Sequence, residues 1–208
     1  MKIVIVDDIS LIRVGLSKVL QAAGYRIVGE ADTAESAKTV ILKTKPDLVV
    51  MDYYLVNSTG LDVYEEIKRH KLKTKIIMLT STQDFRVLSK MVFNTDISAV
   101  VKKGNNSKLL EIIEQVVAGK IYIDPAIFSE VIQYKRVVEE LSPKQEEILY
   151  WIMKGLTNEQ ISHKLHMSVR SLSNQRAKIR KCINQSQLDI LKVSRFLNRE
   201  VSGSSLSI

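Results

Sequence analysis

Four short apolar runs in this chain of 208 residues close on residues able to do chemistry. Ile3-Val4-Ile5-Val6 ends on Asp7 and Asp8, and Leu48-Val49-Val50-Met51 ends on Asp52. Ile76-Ile77-Met78-Leu79 ends on Thr80, and Ala99-Val100-Val101 ends on Lys102. Three carboxylates can hold a divalent cation through oxygen. A hydroxyl and an ammonium can bind the oxygens of a phosphoryl group. Adjacent acids are common on surfaces, so Asp7 and Asp8 alone say little. Asp52 is a stronger signal, because an acid closing a fully apolar strand costs desolvation unless it meets a metal or a positive group.

Bringing these residues together requires the four runs to be neighbouring strands. Each is short, aliphatic or β-branched, and closed by charge, as in a strand buried on both faces of a parallel sheet. Ligands of open α/β sheets sit outside the carboxyl ends of the strands, which puts all five residues on one rim. Amphipathic stretches alternate with the runs at Leu11–Ala23, Ala34–Lys43, Leu61–His70, Phe85–Asn94 and Ser107–Ala118, and a further strand is expected over Arg26–Ala31. The alternation predicts an α/β domain with a five-stranded, doubly wound parallel sheet. Gly24, Gly60 and Gly119 mark helix or loop ends, where positive φ is cheap for glycine.

The pattern changes after Tyr122. Pro125 can open a helix, and Ile127, Val131, Tyr134, Val138 and Leu141 recur at helical spacing. Beyond Leu141 capping signals crowd together. Ser142-Pro143 with Gln145, and Thr157 with Gln160, both read as capping boxes. Ser168 can cap the next helix, Ser186 with Asp189 gives a weaker start, and Gly155 can stop the first helix. Four short helices are expected, near 143–154, 158–165, 169–181 and 187–197, an all-α helix-turn-helix arrangement. The expected organisation is residues 1–122, a partly helical linker over 123–140, the helical domain over 141–200 and a flexible tail over 201–208.

Net charge is +8, and residues 141–208 hold 11 Lys and Arg against 5 Asp and Glu, which favours a polyanion partner for that part. No apolar stretch approaches the ~20 residues of a membrane span, and no secretory signal opens the chain. Cys182 is the single cysteine, so no internal disulfide forms and a cytoplasmic location is expected.

Asp7-Asp8, Val49-Val50-Met51-Asp52, Gly60, Thr80 and Lys102 resemble, in type and order, the receiver domain of two-component response regulators. The resemblance covers roughly residues 1–120. It implies that Asp52 accepts a phosphoryl group from a phosphohistidine on a sensor histidine kinase or phosphotransfer protein. It further implies Mg²⁺ held by Asp8, Asp52 and the backbone carbonyl of Tyr54, with Asp7 acting through water. Lys102 would neutralise one phosphoryl oxygen and Thr80 would hydrogen-bond another. Ile9-Ser10, Val56, Ala99 and Lys103 depart from the pattern. Ala99 stands three before Lys102, where the family often has a rotating aromatic residue.

Leu141-Ser142-Pro143-Lys144-Gln145-Glu146-Glu147-Ile148-Leu149, Gly155-Leu156-Thr157-Asn158-Glu159-Gln160-Ile161-Ser162 and Leu165–Arg176 resemble the LuxR-type helix-turn-helix. Together the two halves resemble the NarL/FixJ class of response regulator. Ser173-Asn174-Gln175 and residues 96–105 lean toward the branch of the Rcs capsule-synthesis regulator. In a recognition helix, Ser173, Asn174 and Ala177 are expected on the groove floor, since Asn can pair with adenine and Ala can meet a thymine methyl. Thr157, Asn158, Arg170, Arg176 and Lys178 are expected on phosphates. The resemblance implies double-stranded DNA and RNA polymerase as partners. It also implies a homodimer, with a heterodimer left open, paired through Leu188, Leu191 and Phe196.

The expected function is transcription control by a receiver that supports only its own phosphotransfer and slow autodephosphorylation. One alternative is an auxiliary DNA-binding regulator working without phosphate. Another is an aspartyl phosphohydrolase, disfavoured because Tyr54 stands where such enzymes carry a second acid. A flavodoxin-like electron carrier is disfavoured by the acids crowding the rim.

Overall fold

The computed structural model describes residues 1–104 and 108–185. Two compact units divide the chain, Met1–Val131 and Ile132–Ile208.

The first unit begins β1 (Lys2–Val6), α1 (Ser10–Ala22), β2 (Arg26–Ala31), α2 (Ala34–Thr44) and β3 (Leu48–Asp52). It continues with β4 (Tyr54–Leu55), β5 (Ser58–Thr59), α3 (Gly60–Arg69), β6 (Lys75–Thr80), α4 (Phe85–Phe93), β7 (Ala99–Lys102), α5 (Leu109–Val117) and β8 (Tyr122–Ile123). Six strands pair in the order β2-β1-β3-β6-β7-β8, and β4 pairs with β5 in a separate antiparallel hairpin. Every pair in the main sheet is parallel. The sheet thus has six strands where five were expected. The sixth, β8, is two residues long and pairs Ala99 with Tyr122 and Val100 with Ile123, too short to leave a periodic signal.

Alternation across the pleat sorts the apolar runs onto two faces. Val4, Val6, Val49, Met51, Ile76, Met78 and Val100 lie in one buried cluster with side chains of α2, α3 and α4. Ile3, Ile5, Leu48, Val50, Ile77, Leu79, Ala99 and Val101 lie in the other with side chains of α1 and α5. This double burial explains why the strands read as unbroken apolar runs, and burying each Val, Leu, Ile or Met side chain among them stabilises by ~1.5–3 kcal/mol.

Residues 125–139 form a full helix, α6 (Pro125–Glu139), where a partly helical linker was expected. Asp124 Oδ1 accepts a hydrogen bond from Ala126 N at its start. Ile127 and Val131 belong to the first unit's cluster, so its core extends past residue 122.

The second unit contains α7 (Pro143–Met153), α8 (Asn158–Lys164) and α9 (Val169–Gln185). Ser142 and Thr157 both form the expected capping boxes, with Gln145 and Gln160. Gly155 takes a φ of 81° after α7, and Ser168 Oγ accepts from Ser171 N at the start of α9. Ile148, Leu149, Ile152, Ile161, Leu172, Ile179 and Ile183 are buried. α9 runs four residues beyond the expected end at 181. The fourth expected helix, with Ser186, Asp189, Leu188, Leu191 and Phe196, lies outside the described residues.

Candidate functional site: a strand-end acid cluster and an exposed helix stripe

The carboxyl ends of β1, β3, β6 and β7 are adjacent in the sheet, and their residues meet there. Asp7, Asp8 and Asp52 each offer an oxygen, and these oxygens lie within 4.8 Å of one another. Asp7 and Asp52 are buried and Asp8 is exposed. Asp7 Oδ1 accepts from Ile9 N at 2.9 Å, and Asp52 Oδ1 accepts from Tyr54 N at 3.2 Å. An all-oxygen donor set with one acid open to solvent fits a hard divalent cation that keeps several waters.

The ammonium of the cluster comes from Lys103. Its Nζ donates to Asp52 Oδ2 at 2.6 Å and to Asp7 Oδ2 at 2.9 Å. Lys102, expected in that place, is exposed, pairs with Thr80 in the β6–β7 register and, among the described residues, forms no ion pair with the acids. The chain turns after Lys102, and Lys103 N donates to Thr80 O at 2.8 Å, which aligns the next side chain with the rim. Two consecutive lysines follow a run buried on both faces, so periodicity does not show which one the turn directs inward. With Lys103 as the rim lysine, Val100 stands three before it in place of Ala99, and it too is aliphatic and buried.

Burial pushes the Asp52 carboxyl above its ordinary pKa; Lys103 opposes that rise and Asp7 adds to it. For Lys103, burial disfavours the charge, but Asp52 and Asp7 outweigh it and hold the ammonium above the usual lysine range.

Thr80 is buried, and its Oγ1 accepts from Thr82 N at 3.0 Å. The Tyr54 hydroxyl donates to Thr82 Oγ1 at 3.0 Å, joining the segment after Asp52 to the segment after Thr80. Sequence reading gave the Tyr54 side chain no role.

Gly60 has an ordinary φ, unlike Gly24 and Gly119. Its constraint is space: an added Cβ would lie 2.6 Å from Asp52 O and 2.7 Å from Met78 Sδ. Gly60 N also donates to Tyr53 O at 2.7 Å, so the start of α3 rests against the segment carrying Asp52.

In the second unit, α9 presents Arg170, Ser173, Asn174, Ala177 and Lys178 on one exposed stripe, at the i, i+3, i+4, i+7, i+8 spacing of a single helix face. Three other residues expected on DNA are engaged within the protein. Thr157 Oγ1 accepts from Gln160 N, and Arg176 Nη1 donates to Asn158 Oδ1.

The family model described as a response regulator receiver domain matches residues 3–114. That of the bacterial regulatory proteins of the luxR family matches residues 139–188. A Pseudomonas aeruginosa protein, provisionally named a transcriptional regulator, is 30% identical over 90% of this chain and 93% of its own length. The response regulator VraR of Staphylococcus epidermidis is 27% identical over 82% of this chain and 84% of its own. Among solved structures, one of two RcsB dimers bound to two parallel DNAs superposes with a TM-score of 0.68 at 22% identity, covering 95% of this chain and 97% of that one. At that identity the likeness is one of fold, and the leaning toward the Rcs branch has no more than this behind it.

Proposed function

We propose that this chain, which belongs to the response regulator receiver family and carries a DNA-binding domain of the luxR family, is switched by phosphoryl transfer to Asp52. The observation that carries the proposal is the buried Asp7–Asp52 pair bridged by Lys103, with the oxygens of Asp7, Asp8 and Asp52 drawn together. The donor is a phosphohistidine on a sensor histidine kinase or phosphotransfer protein. An Asp52 oxygen forms the new bond to phosphorus while the nitrogen–phosphorus bond breaks, its electron pair staying on the imidazole. Asp8, Asp52 and the Tyr54 backbone carbonyl would hold Mg²⁺, with Asp7 acting through water, and the cation would supply countercharge between two anionic reactants.

Lys103 opposes the rise that burial imposes on the Asp52 pKa, and its ammonium is placed to follow the charge onto a phosphoryl oxygen. Thr80 uses its oxygen to accept from Thr82 N, leaving the hydroxyl proton for a second phosphoryl oxygen. A new charge of about −2 at Asp52 then draws the segment after Thr80 toward it. The receiver performs its own phosphotransfer and a slow hydrolysis, without serving as a metabolic enzyme.

The output is transcription control by a dimer on double-stranded DNA, in contact with RNA polymerase and in the cytoplasm. Support for the dimer comes from the RcsB dimers in the DNA-bound structure of the same fold. No helix among the described residues is long and apolar enough to cross a membrane. Arg170 and Lys178 bind phosphates, while Ser173, Asn174 and Ala177 face base edges.

Beryllofluoride with Mg²⁺ tests the switch. Dimerisation and operator affinity rise together in the wild type and stay flat in Asp52→Asn; a wild type that does not respond overturns it. Val100 favours a second reading, an auxiliary regulator that binds DNA without phosphate, because the usual aromatic relay is absent. That reading predicts full operator binding by Asp52→Asn.

A further inference from the structure

α9 has two faces, and two polar residues stand on the wrong one for DNA. Gln175 lies three residues after buried Leu172 and four before buried Ile179; Arg176 lies four after and three before. Both therefore share the core-facing side of the helix. Each meets the beginning of another helix of the same unit. Gln145 Nε2 donates to Gln175 Oε1 at 3.2 Å. The capping box fixes the Gln145 amide, because its Oε1 accepts from Ser142 N at 2.9 Å and only the NH₂ group remains to reach α9. One residue along, Arg176 Nη1 donates to Asn158 Oδ1, and Asn158 is the first residue of α8. Consecutive residues of α9 are thus tied to the capped starts of α7 and α8.

Two bonds from one helix to two others resist rotation in a way that apolar packing at Leu172, Ile179 and Ile183 does not, because apolar contact has no preferred direction. The consequence is geometric. With side chains reaching ~5–6 Å from the axis, a 20° roll of α9 moves their tips by roughly 2 Å. Placement within ~0.5 Å is what a precise polar contact requires. We propose that Gln175 and Arg176 are positioning residues that lock the roll of the recognition helix, so that they set base preference through Arg170, Ser173, Asn174, Ala177 and Lys178 without touching DNA themselves. This rests on the DNA-binding reading of α9.

The test separates positioning from contact by salt dependence. Full-length wild type, Gln175→Ala, Gln175→Glu, Arg176→Ala and Arg176→Gln are titrated with a duplex chosen by random-pool selection and with a scrambled duplex, each over a range of salt. Gln175→Ala should lose about fivefold in affinity for the selected duplex, the equivalent of one hydrogen bond, and keep its affinity for the scrambled one. Gln175→Glu retains an acceptor for Gln145 Nε2 and should recover the preference. Arg176→Ala should lose preference with an unchanged salt slope. Arg176→Gln, which loses the charge and whose amide ends two bonds short of Nη1, should likewise lose preference with an unchanged salt slope.

A fall of about one unit in the salt slope of either Arg176 variant makes it a phosphate contact and overturns the proposal. So does an unchanged preference in Gln175→Ala. Should Arg176→Ala fail to fold, Arg176→Gln and the two Gln175 variants still decide. Wild type that selects no sequence would instead sink the DNA-binding reading, and this inference with it.

Discussion

Lys103 Nζ and Asp52 Oδ2 lie 2.6 Å apart, although 51 residues separate them in the chain, and Asp7 Oδ2 shares the same ammonium at 2.9 Å. One cation between two buried carboxylates makes Lys103, and not its neighbour, the residue on which the site depends.

Lys103→Met should leave Asp7 and Asp52 without their ammonium and destabilise the first unit by about 3 kcal/mol, the scale for removing one partner of a buried pair. It should also abolish the beryllofluoride response. Lys102→Met removes an exposed charge with no partner among the acids, and both its denaturant midpoint and its response should match wild type. Equal effects from the two variants would contradict the register at the end of β7.

Asp52→Asn should be more heat-stable than wild type at neutral pH, by roughly 1 kcal/mol. The sign follows from linkage: a folded-state pKa above the unfolded value means the native state binds the proton more tightly. Stability from Asp52 is therefore present at acid pH and declines as pH rises through the raised pKa. The advantage of Asp52→Asn should shrink as pH falls toward that value, where wild-type Asp52 takes up its proton. Thermal melts across acid to neutral pH measure it, and an advantage that grows on acidification contradicts the burial argument.

Gly60→Ala places a methyl group 2.6 Å from Asp52 O and 2.7 Å from Met78 Sδ. The sulfur is on a flexible side chain and can yield; the backbone oxygen cannot without moving Asp52. Destabilisation of about 1–3 kcal/mol is expected by denaturant titration, the range for overpacking a core. Gly155→Ala, strained by its positive φ but open in space, should lower stability without changing the beryllofluoride response.

Two residues of the α9 stripe should fail differently. Lys178→Ala should weaken all duplexes about equally and lower the salt slope by about one. Asn174→Ala should leave the slope alone and relax preference at one base pair by ~1–3 kcal/mol, the value of a bidentate contact. Identical salt slopes for these two variants would remove Lys178 from the phosphate set.

The strands and most helices were legible because double burial and capping leave local marks. α1 to α4 begin and end within one residue of expectation, and the Ser142 and Thr157 boxes formed as read. Features that depend on a single step of register were not legible. Lys102 and Lys103 are indistinguishable until the turn after β7 is seen. β8 is held by its neighbour and has too few residues for a pattern of its own. Asn158 and Arg176 carry groups suited to phosphate, yet in the folded unit they bond to each other, a pairing 18 residues apart that spacing alone does not reveal. Gly60 was recognisable as important but for a different reason, since steric room is a tertiary property.

Where the first unit ends has a practical consequence. Ile127 and Val131 are 4% and 0% exposed and belong to the cluster that contains Met51, Met78 and Val100. A fragment cut at residue 122 would lose both side chains, together with Ile123 and the Asp124 that starts α6. Such a fragment would expose greasy surface at the cut and tend to aggregate, whatever its phosphate chemistry. An excised receiver that stays in solution should extend at least through Val131, which makes the first two turns of α6 part of the globule and not part of the spacer.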